Sequence, residues 1–360
     1  MTAGPIPLPL RAELRGLVPY GAPQLDVPVR LNVNENPHPP GDDVVADIAA
    51  AVTSVAGSLN RYPDREAVEL RTALAGYLGH GLTPDNLWAA NGSNELMLQL
   101  LQAFGGPQGK ALVFVPTYSM YPEYARNSLT PIVTGARADD FTVDAVAAVE
   151  LIQAERPTIV LLASPNNPTG TALRLETVAA ICAATTGIVV VDEAYSEFRR
   201  DGTPSALQLL AAYPHLVVTR TMSKAFALAG ARLGYLAADP AVVDALRIVR
   251  LPYHLSSVTQ AVALTALKHR NELLATVEEL RRERDATVTW LRANDLAVAD
   301  TDANFVMFGR FEDRHEVWQG LLRRGVLIRE TGPVGWLRVS IGTAGEMSAF
   351  RGALLEVLDR

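Results

Sequence analysis

Seven short apolar segments, separated by amphipathic stretches, occupy residues 86 to 238 and restrict the fold more than any other feature of this sequence. These segments are rich in Val, Ile and Leu along their whole length, which is typical of strands covered on both faces. They lie at 86–90, 111–115, 131–135, 158–164, 187–192, 215–221 and 232–238. Helices are predicted between them, for example at 94–104, 143–156 and 175–185. The alternation predicts an α/β fold with right-handed crossovers and a mainly parallel, seven-stranded central sheet.

The two ends of the chain follow different patterns, which predicts more than one domain in 360 residues. The first 40 residues are rich in proline and predict an extended arm with a short strand near 30–33. The C-terminal part predicts a long helical region up to Asn294, then strands at 304–309, 326–330 and 336–341 and helices at 313–324 and 345–359. We therefore expect an arm that joins the small domain (1–40), a large domain (41–255) and a smaller α+β domain (256–360).

Charge and cysteine content argue against several classes of function. The net charge of −7 argues against non-specific binding of nucleic acid, although a local basic pocket for a small anion is compatible with it. The single cysteine, Cys182, lies in an apolar run and predicts a reducing, cytoplasmic compartment. The histidines form no metal-binding pattern, so we expect no metal site. We also expect neither a signal peptide nor a membrane-spanning segment.

Polar residues follow the predicted strands at the sheet edge where open α/β folds bind their ligands. These clusters lie at 91–94, 116–118, 165–170, 192–195 and 221–224. The start of a helix at 91–94 offers free N–H groups to an anion, although a simple helix cap explains the same residues. Asp192 needs a cationic partner if it is buried, and Lys224 becomes a nucleophile if it loses its proton near neutral pH. A phosphate site, a carboxylate, a phenol and a lysine together match pyridoxal phosphate.

Longer motifs extend this interpretation to nearly the whole chain, from residue 20 to residue 343. SPNNPTG (164–170) and TMSKAFALAGARLGYL (221–236) resemble the fold-type I pyridoxal-phosphate aminotransferases. NRYPD (60–64) and LPYHLSS (251–257) resemble, more narrowly, the histidinol-phosphate aminotransferase family. Further matching segments are LNVNENP (31–37), NGSNELM (91–97), PTYSMY (116–121), VVVDEAYSEF (189–198) and WLRVSIGT (336–343).

The resemblance implies roles for the residues that bind the cofactor. Lys224 would join the cofactor's aldehyde and move a proton between substrate and cofactor, while Asp192 would pair with the ring nitrogen. The other residues implied to bind pyridoxal phosphate are Tyr195 and Asn167 at the ring oxygen, Tyr118 on the ring face, and Gly92, Ser93, Ser223 and Arg232 at the phosphate. Tyr62 would reach the phosphate in the neighbouring subunit, which implies a homodimer with active sites at the subunit interface. Asn94 stands where relatives often have an acidic residue.

The resemblance also implies the reaction, which is transfer of an amino group between L-histidinol phosphate and 2-oxoglutarate in histidine biosynthesis. The products would be imidazole acetol phosphate and glutamate. Arg338 would bind the substrate's phosphate and then the carboxylate of glutamate, and further donors would be Tyr20, Asn34, Tyr253 and Arg329. A simple hairpin around residues 331–335 would place Arg329 opposite Leu337 and facing away from Arg338, so the two would converge only through a bulge or a wider loop.

Other functions use parts of the same pattern. An aromatic amino-acid aminotransferase acting on phenylalanine or tyrosine would keep every cofactor residue and is the nearest alternative. A lyase or decarboxylase on the same cofactor would share them too. GGPQGK (105–110) resembles a nucleotide-binding loop but has one residue too few between its glycines and no Ser or Thr after the lysine. A regulator that borrows such a domain would need a DNA-binding module for which this acidic chain has no room.

Overall fold

The computed structural model describes residues 8–359, which form strands and α-helices in an alternating order through the central part of the chain. The strands are β1 (Val29–Arg30), β2 (Leu87–Ala90), β3 (Ala111–Val115), β4 (Ile132–Ala136), β5 (Ile159–Ala163), β6 (Ile188–Asp192), β7 (Leu216–Thr221), β8 (Gly234–Ala238), β9 (Ala297–Val298), β10 (Phe305–Gly309), β11 (Val326–Leu327) and β12 (Trp336–Ser340). The α-helices are α1 (Asp42–Ala56), α2 (Val68–Leu78), α3 (Ser93–Phe104), α4 (Met120–Asn127), α5 (Ala145–Glu155), α6 (Leu175–Ala184), α7 (Pro240–Val249), α8 (Ser257–Lys268), α9 (Arg270–Ala293), α10 (Arg314–Arg323) and α11 (Ala344–Val357).

The central sheet has seven strands in the spatial order β2-β8-β7-β6-β5-β3-β4, which confirms the predicted sheet. Strands β3 to β7 pair in parallel, and β8 lies antiparallel between β2 and β7. The strand predicted at 232–238 is therefore the one that runs against the others. Because β2, β3, β5, β6 and β7 point the same way, their carboxyl ends meet at one edge of the sheet.

Successive residues of each strand bury their side chains on opposite faces of the sheet, as the continuous apolar segments predict. Val189 and Val191 pack with α2, α6 and α8, whereas Val190 packs with α3 and α7. Full burial of a side chain of this size contributes about 1.5–3 kcal/mol, so helix layers on both faces stabilise the sheet strongly. The site at the sheet edge therefore rests on a rigid support.

The C-terminal part of the chain forms a second hydrophobic core around a three-stranded antiparallel sheet, in the order β12-β10-β9. Phe305 and Phe308 of β10 and Phe350 of α11 lie in that core. The arm joins the same region, because β1 pairs in parallel with β11 and the backbone N–H of Ser340 donates to the carbonyl of Leu31 over 2.9 Å. No helix within residues 8–359 combines enough length and hydropathy to cross a bilayer.

Candidate active site

A cavity of about 200 Å³ lies at the carboxyl ends of β5, β6 and β7, beside the start of α3. The cavity brings together twelve of the fifteen predicted catalytic, cofactor-binding and substrate-binding residues. The predicted residues that line it are Tyr20, Asn34, Ser93, Tyr118, Asn167, Asp192, Tyr195, Ser223, Lys224, Arg232, Arg329 and Arg338. Its charged lining consists of four cations and one carboxyl group, so the cavity is suited to an anionic ligand.

The three remaining predicted residues lie outside the cavity's lining. Gly92 lies at its edge, where a Cβ atom on this glycine would come within 2.5 Å of Nη2 of Arg232. Tyr62 and Tyr253 lie elsewhere on the surface and stack on each other, with ring centroids 4.3 Å apart. Tyr62 is 79% exposed, so within one chain neither tyrosine reaches the cavity.

Asp192 ends β6 and is almost fully buried, which sets its chemistry. Its Oδ2 atom accepts a hydrogen bond from the hydroxyl of Tyr121 over 3.2 Å, and Oδ1 accepts one from Thr219 over 3.2 Å. Burial raises the pKa of Asp192 to about 6, although these two hydrogen bonds act in the opposite direction. Among residues 8–359, no Lys, Arg or His forms an ion pair with this carboxyl group. The site therefore favours a ligand that brings its own positive charge to Asp192.

Lys224 follows β7 and points into the same cavity. Its Nζ atom donates a hydrogen bond to the carbonyl oxygen of Val33 in the arm over 2.9 Å. Burial, reinforced by the charges of Arg338 and Arg232, lowers the pKa of Lys224 to about 8. About a tenth of this amine is therefore unprotonated at pH 7, far more than for an ordinary lysine, as a nucleophile or a base requires.

The start of α3 forms an anion site together with the turn after β7. Gly92 precedes the helix with φ = +80°, and the first N–H groups of a helix have no partner within it. Arg232 donates to the hydroxyl of Ser223 over 3.3 Å, beside this helix end. Gly234 makes the close approach possible, because a Cβ atom there would lie 2.2 Å from the backbone nitrogen of Ser93.

Two side-chain amides converge on the hydroxyl of Tyr195, a residue whose ring is buried against Phe305. Asn34 donates to this hydroxyl over 3.0 Å, and Asn167 donates to it over 3.4 Å. Burial raises the pKa of Tyr195 above its usual value, so the phenol keeps its proton. Tyr118 also lines the cavity.

The two predicted substrate arginines lie directly opposite each other, so the simple hairpin that pairs Arg329 with Leu337 does not form and a wider loop takes its place. The N–H of Arg329 donates to the carbonyl of Arg338 over 2.9 Å, and the reverse bond has the same length. Residues paired in this way place their side chains on the same face, so no bulge is needed for them to converge. The segment between the paired arginines is one residue longer than in the simple hairpin, and its four central residues are 332–335.

Arg338 is held in place by the groups around it. Its Nη1 atom donates to Oδ1 of Asn167 over 2.6 Å, and Nη2 donates to the carbonyl of Asn32 over 2.8 Å. Burial lowers the pKa of Arg338 to about 10, which still leaves the guanidinium charged at neutral pH. Its Nε atom is buried and finds no hydrogen-bond partner within the described part of the chain, so an anion in the cavity has a donor to use.

Comparison with known proteins supports one interpretation of this geometry. The profile of the family "Aminotransferase class I and II" matches residues 27–354. Histidinol-phosphate aminotransferase of Thermobifida fusca is 64% identical over 353 residues, which cover 98% of this chain and 96% of the relative. Histidinol-phosphate aminotransferase 3 of Burkholderia lata is 60% identical over 98% of this chain and 96% of its own length. The chain belongs to the histidinol-phosphate aminotransferases.

A solved structure agrees with the family. Histidinol-phosphate aminotransferase from Sinorhizobium meliloti, in complex with pyridoxal-5'-phosphate, superposes with a TM-score of 0.84 at 27% identity. The match covers 92% of this aminotransferase and 91% of the solved chain. The fold is therefore the fold-type I architecture expected from the sequence.

Three residues of the aminotransferase site had no role in the sequence interpretation. Tyr121 and Thr219 hold the carboxyl group of Asp192, and Ser340 holds Asn34. Tyr121 lies within the motif PTYSMY, and Thr219 is the register partner of Asp192 in the neighbouring strand. The strand pattern could have suggested Thr219, whereas Ser340 is separated from Asn34 by 306 residues and gives no local signal.

Proposed function

We propose that this chain transfers an amino group between L-histidinol phosphate and 2-oxoglutarate, with pyridoxal 5'-phosphate as cofactor. The observation that carries the proposal is the high identity, over nearly the whole chain, to enzymes named for this activity. The products are imidazole acetol phosphate and glutamate. The enzyme serves histidine biosynthesis.

The residues of the cavity fit this cofactor. Asp192 is a buried carboxyl group with no cationic partner among residues 8–359, and a protonated ring nitrogen would supply one. The helix start at Ser93, with Ser223 and Arg232, offers donors for a phosphate, and Lys224 lies in the same cavity to join the aldehyde. When bound, the cofactor accepts electrons from the substrate carbon that loses its proton.

The chain's own residues divide the remaining work. We assign Asn167 and Tyr195 to the ring oxygen, Tyr118 to the ring face, and the backbone of Gly92 to the phosphate site. Asp192 keeps its negative charge beside a ring cation, and Nζ of Lys224 carries the proton to and from the substrate's Cα. The lowered pKa of Lys224, about 8, suits that task near neutral pH.

The substrate's anionic group meets the paired arginines. Arg329 and Arg338 face the same cavity, and two guanidinium groups match a phosphate dianion better than one. We assign Tyr20 and Asn34 to the substrate side as well, since both line this cavity. In the second half-reaction the same arginines receive a carboxylate of 2-oxoglutarate.

We propose that the enzyme works as a homodimer in the cytoplasm. Tyr62 and Tyr253 form a stacked, solvent-facing pair outside their own chain's cavity, which suits residues that complete the site of a second copy. We assign Tyr62 to the partner's phosphate site and Tyr253 to its substrate. We also propose that the chain divides into an N-terminal arm that joins the small domain (1–40), a large domain (41–255) and a C-terminal small domain (256–360).

Substrate preference tests the proposed function directly. We expect kcat/KM with histidinol phosphate to exceed kcat/KM with phenylalanine by at least about 100-fold, because the paired arginines bind a phosphate through several charge-assisted hydrogen bonds. The measurement uses 2-oxoglutarate as acceptor for both donors. A higher value for phenylalanine would assign the chain to the aromatic amino-acid aminotransferases instead.

A further inference from the structure

Ser340, at the end of β12, is buried and hydrogen-bonded to one residue of the arm through two separate contacts. Its Oγ atom accepts a hydrogen bond from the backbone N–H of Asn34 over 2.9 Å. The same hydroxyl lies 2.8 Å from Oδ1 of the Asn34 side chain. Since the backbone N–H already donates to Oγ, the hydroxyl proton of Ser340 is the one that points to Oδ1.

This contact determines the orientation of the Asn34 amide. With Oδ1 held by Ser340, the amide must turn its Nδ2 group to the hydroxyl of Tyr195, 3.0 Å away. Asn167 is oriented in the same sense, because Arg338 occupies its Oδ1 atom and leaves Nδ2 to face Tyr195. The phenol oxygen therefore accepts hydrogen bonds from both amides, and its own proton is left for an acceptor in the cavity.

We propose that Ser340 is a positioning residue that acts through Asn34 to direct the hydroxyl proton of Tyr195 into the cavity, toward the ring oxygen of the cofactor. This inference rests on the proposed function, because it takes Tyr195 as the residue that contacts that oxygen. Ser340 itself lies outside the lining of the cavity, so it acts only through the residues between.

The role of Ser340 can be tested without following turnover, through the pH at which the bound cofactor loses its proton. A hydrogen bond donated to the ring oxygen favours its anionic form and lowers the pH at which the bound cofactor loses its proton. Without the Ser340 hydroxyl, the Asn34 amide can rotate and present Oδ1 to Tyr195, which then attracts the phenol proton away from the cavity. Loss of the hydroxyl should therefore raise that pH.

The experiment is a pH titration of the visible absorbance of the holoenzyme, without substrate, for the native protein and five variants. Tyr195→Phe removes the donor and sets the reference shift. We expect Ser340→Ala to raise the midpoint by about 0.5–1 pH unit, in the same direction as Tyr195→Phe. Ser340→Thr keeps a hydroxyl and should titrate like the native protein. The double variant Ser340→Ala/Tyr195→Phe should shift no further than Tyr195→Phe alone.

Asn34→Asp keeps the proposal testable if Ser340→Ala does not fold. An aspartate presents an oxygen to Tyr195 whichever way it turns, so its midpoint should rise at least as far. A normal midpoint in Ser340→Ala and Asn34→Asp, with a shifted Tyr195→Phe, would overturn the role of Ser340 and leave the proposed function intact. Additive shifts in the double variant would overturn it as well. An unshifted Tyr195→Phe would instead contradict the contact assigned to Tyr195 in the proposed function.

Discussion

Individual residues in the cavity owe their chemistry to burial more than to their neighbours. Desolvation is the largest cause of the pKa shifts of both Asp192 and Lys224, and it moves them in opposite directions. It favours the neutral form of each group. A ligand with a protonated ring nitrogen and an aldehyde group would suit both residues. The ring nitrogen would pair with Asp192, and the aldehyde would react with Lys224.

Replacement of Lys224 tests the nucleophile. We expect Lys224→Ala to lower kcat by at least about 10⁴-fold and to abolish the borohydride-reducible visible absorbance of the purified protein, because Lys224 is the only lysine within residues 8–359 that lines the cavity. Lys110→Ala is a matched control, since Lys110 pairs with Glu155 on the surface. A yellow, borohydride-reducible Lys224→Ala protein would contradict the assignment.

Asp192 makes the stability of the cofactor-free protein depend on pH. Burial raises its pKa from 3.8 to about 6, so the folded chain holds a proton there that the unfolded chain releases between these values. Stability is therefore lost as the pH rises through this window, by about 3 kcal/mol at most. In urea unfolding of the cofactor-free protein, the stability of Asp192→Asn relative to the native chain should rise from about pH 4 to about pH 6 and stay constant above that range. Parallel pH profiles of the two proteins would contradict the shift.

At the scale of elements, close contact between neighbouring segments shapes the site. The end of β2 and the start of α3 come so close to β8 that only glycine fits at position 234. The orientation of Arg329 and Arg338 depends on the register of the hairpin that carries them. A shift of one position would turn one guanidinium away from the cavity.

Gly234→Ala tests the contact between β8 and α3. The added Cβ atom would lie 2.2 Å from the nitrogen of Ser93 and 2.3 Å from the carbonyl carbon of Gly92, so the phosphate site must shift. We expect a loss of about 1–3 kcal/mol in the free energy of unfolding and about tenfold weaker binding of pyridoxal phosphate. Gly230→Ala, where the same atom meets nothing within 4 Å, should change neither quantity. Equal behaviour of the two variants would show that the contact is not restrictive.

At the scale of the whole molecule, large apolar side chains remain exposed beside the stacked tyrosines. Ile248 is 84% exposed and Leu251 is 73% exposed, close in sequence to Tyr253. Such a surface favours a second protein chain over water, in agreement with the proposed homodimer.

Mixed dimers test whether Tyr62 acts across the interface. Lys224→Ala and Tyr62→Ala should each be nearly inactive alone, whereas a one-to-one mixture that exchanges subunits should recover about a quarter of the native activity. The reason is that half of the dimers are mixed, and each mixed dimer has one site without either substitution. Activity is measured before and after subunit exchange. Recovery no greater than the sum of the separate variants would assign Tyr62 to its own chain's site.

Local patterns in the sequence were sufficient for the central sheet and for the residues at its edge. Continuous apolar segments predict buried strands, and strand ends of a parallel sheet meet at one edge, so Asn167, Asp192 and Lys224 could be brought together without coordinates. Helices α1 and α2 were not predicted, and α1 buries only Val44 completely, so its sequence carries little of the apolar pattern that indicates a helix.

Other features of the site depend on contacts between segments far apart in the chain. Short patterns of side chains were enough to predict the α/β architecture and to select Lys224, Asp192 and the residues proposed to bind the phosphate. The pairing of Arg329 with Arg338 depended on loop geometry, and the link from Ser340 to Asn34 spans 306 residues. Hydrogen-bond direction and desolvation depend on what surrounds an atom in space, so they arise only once the chain has folded.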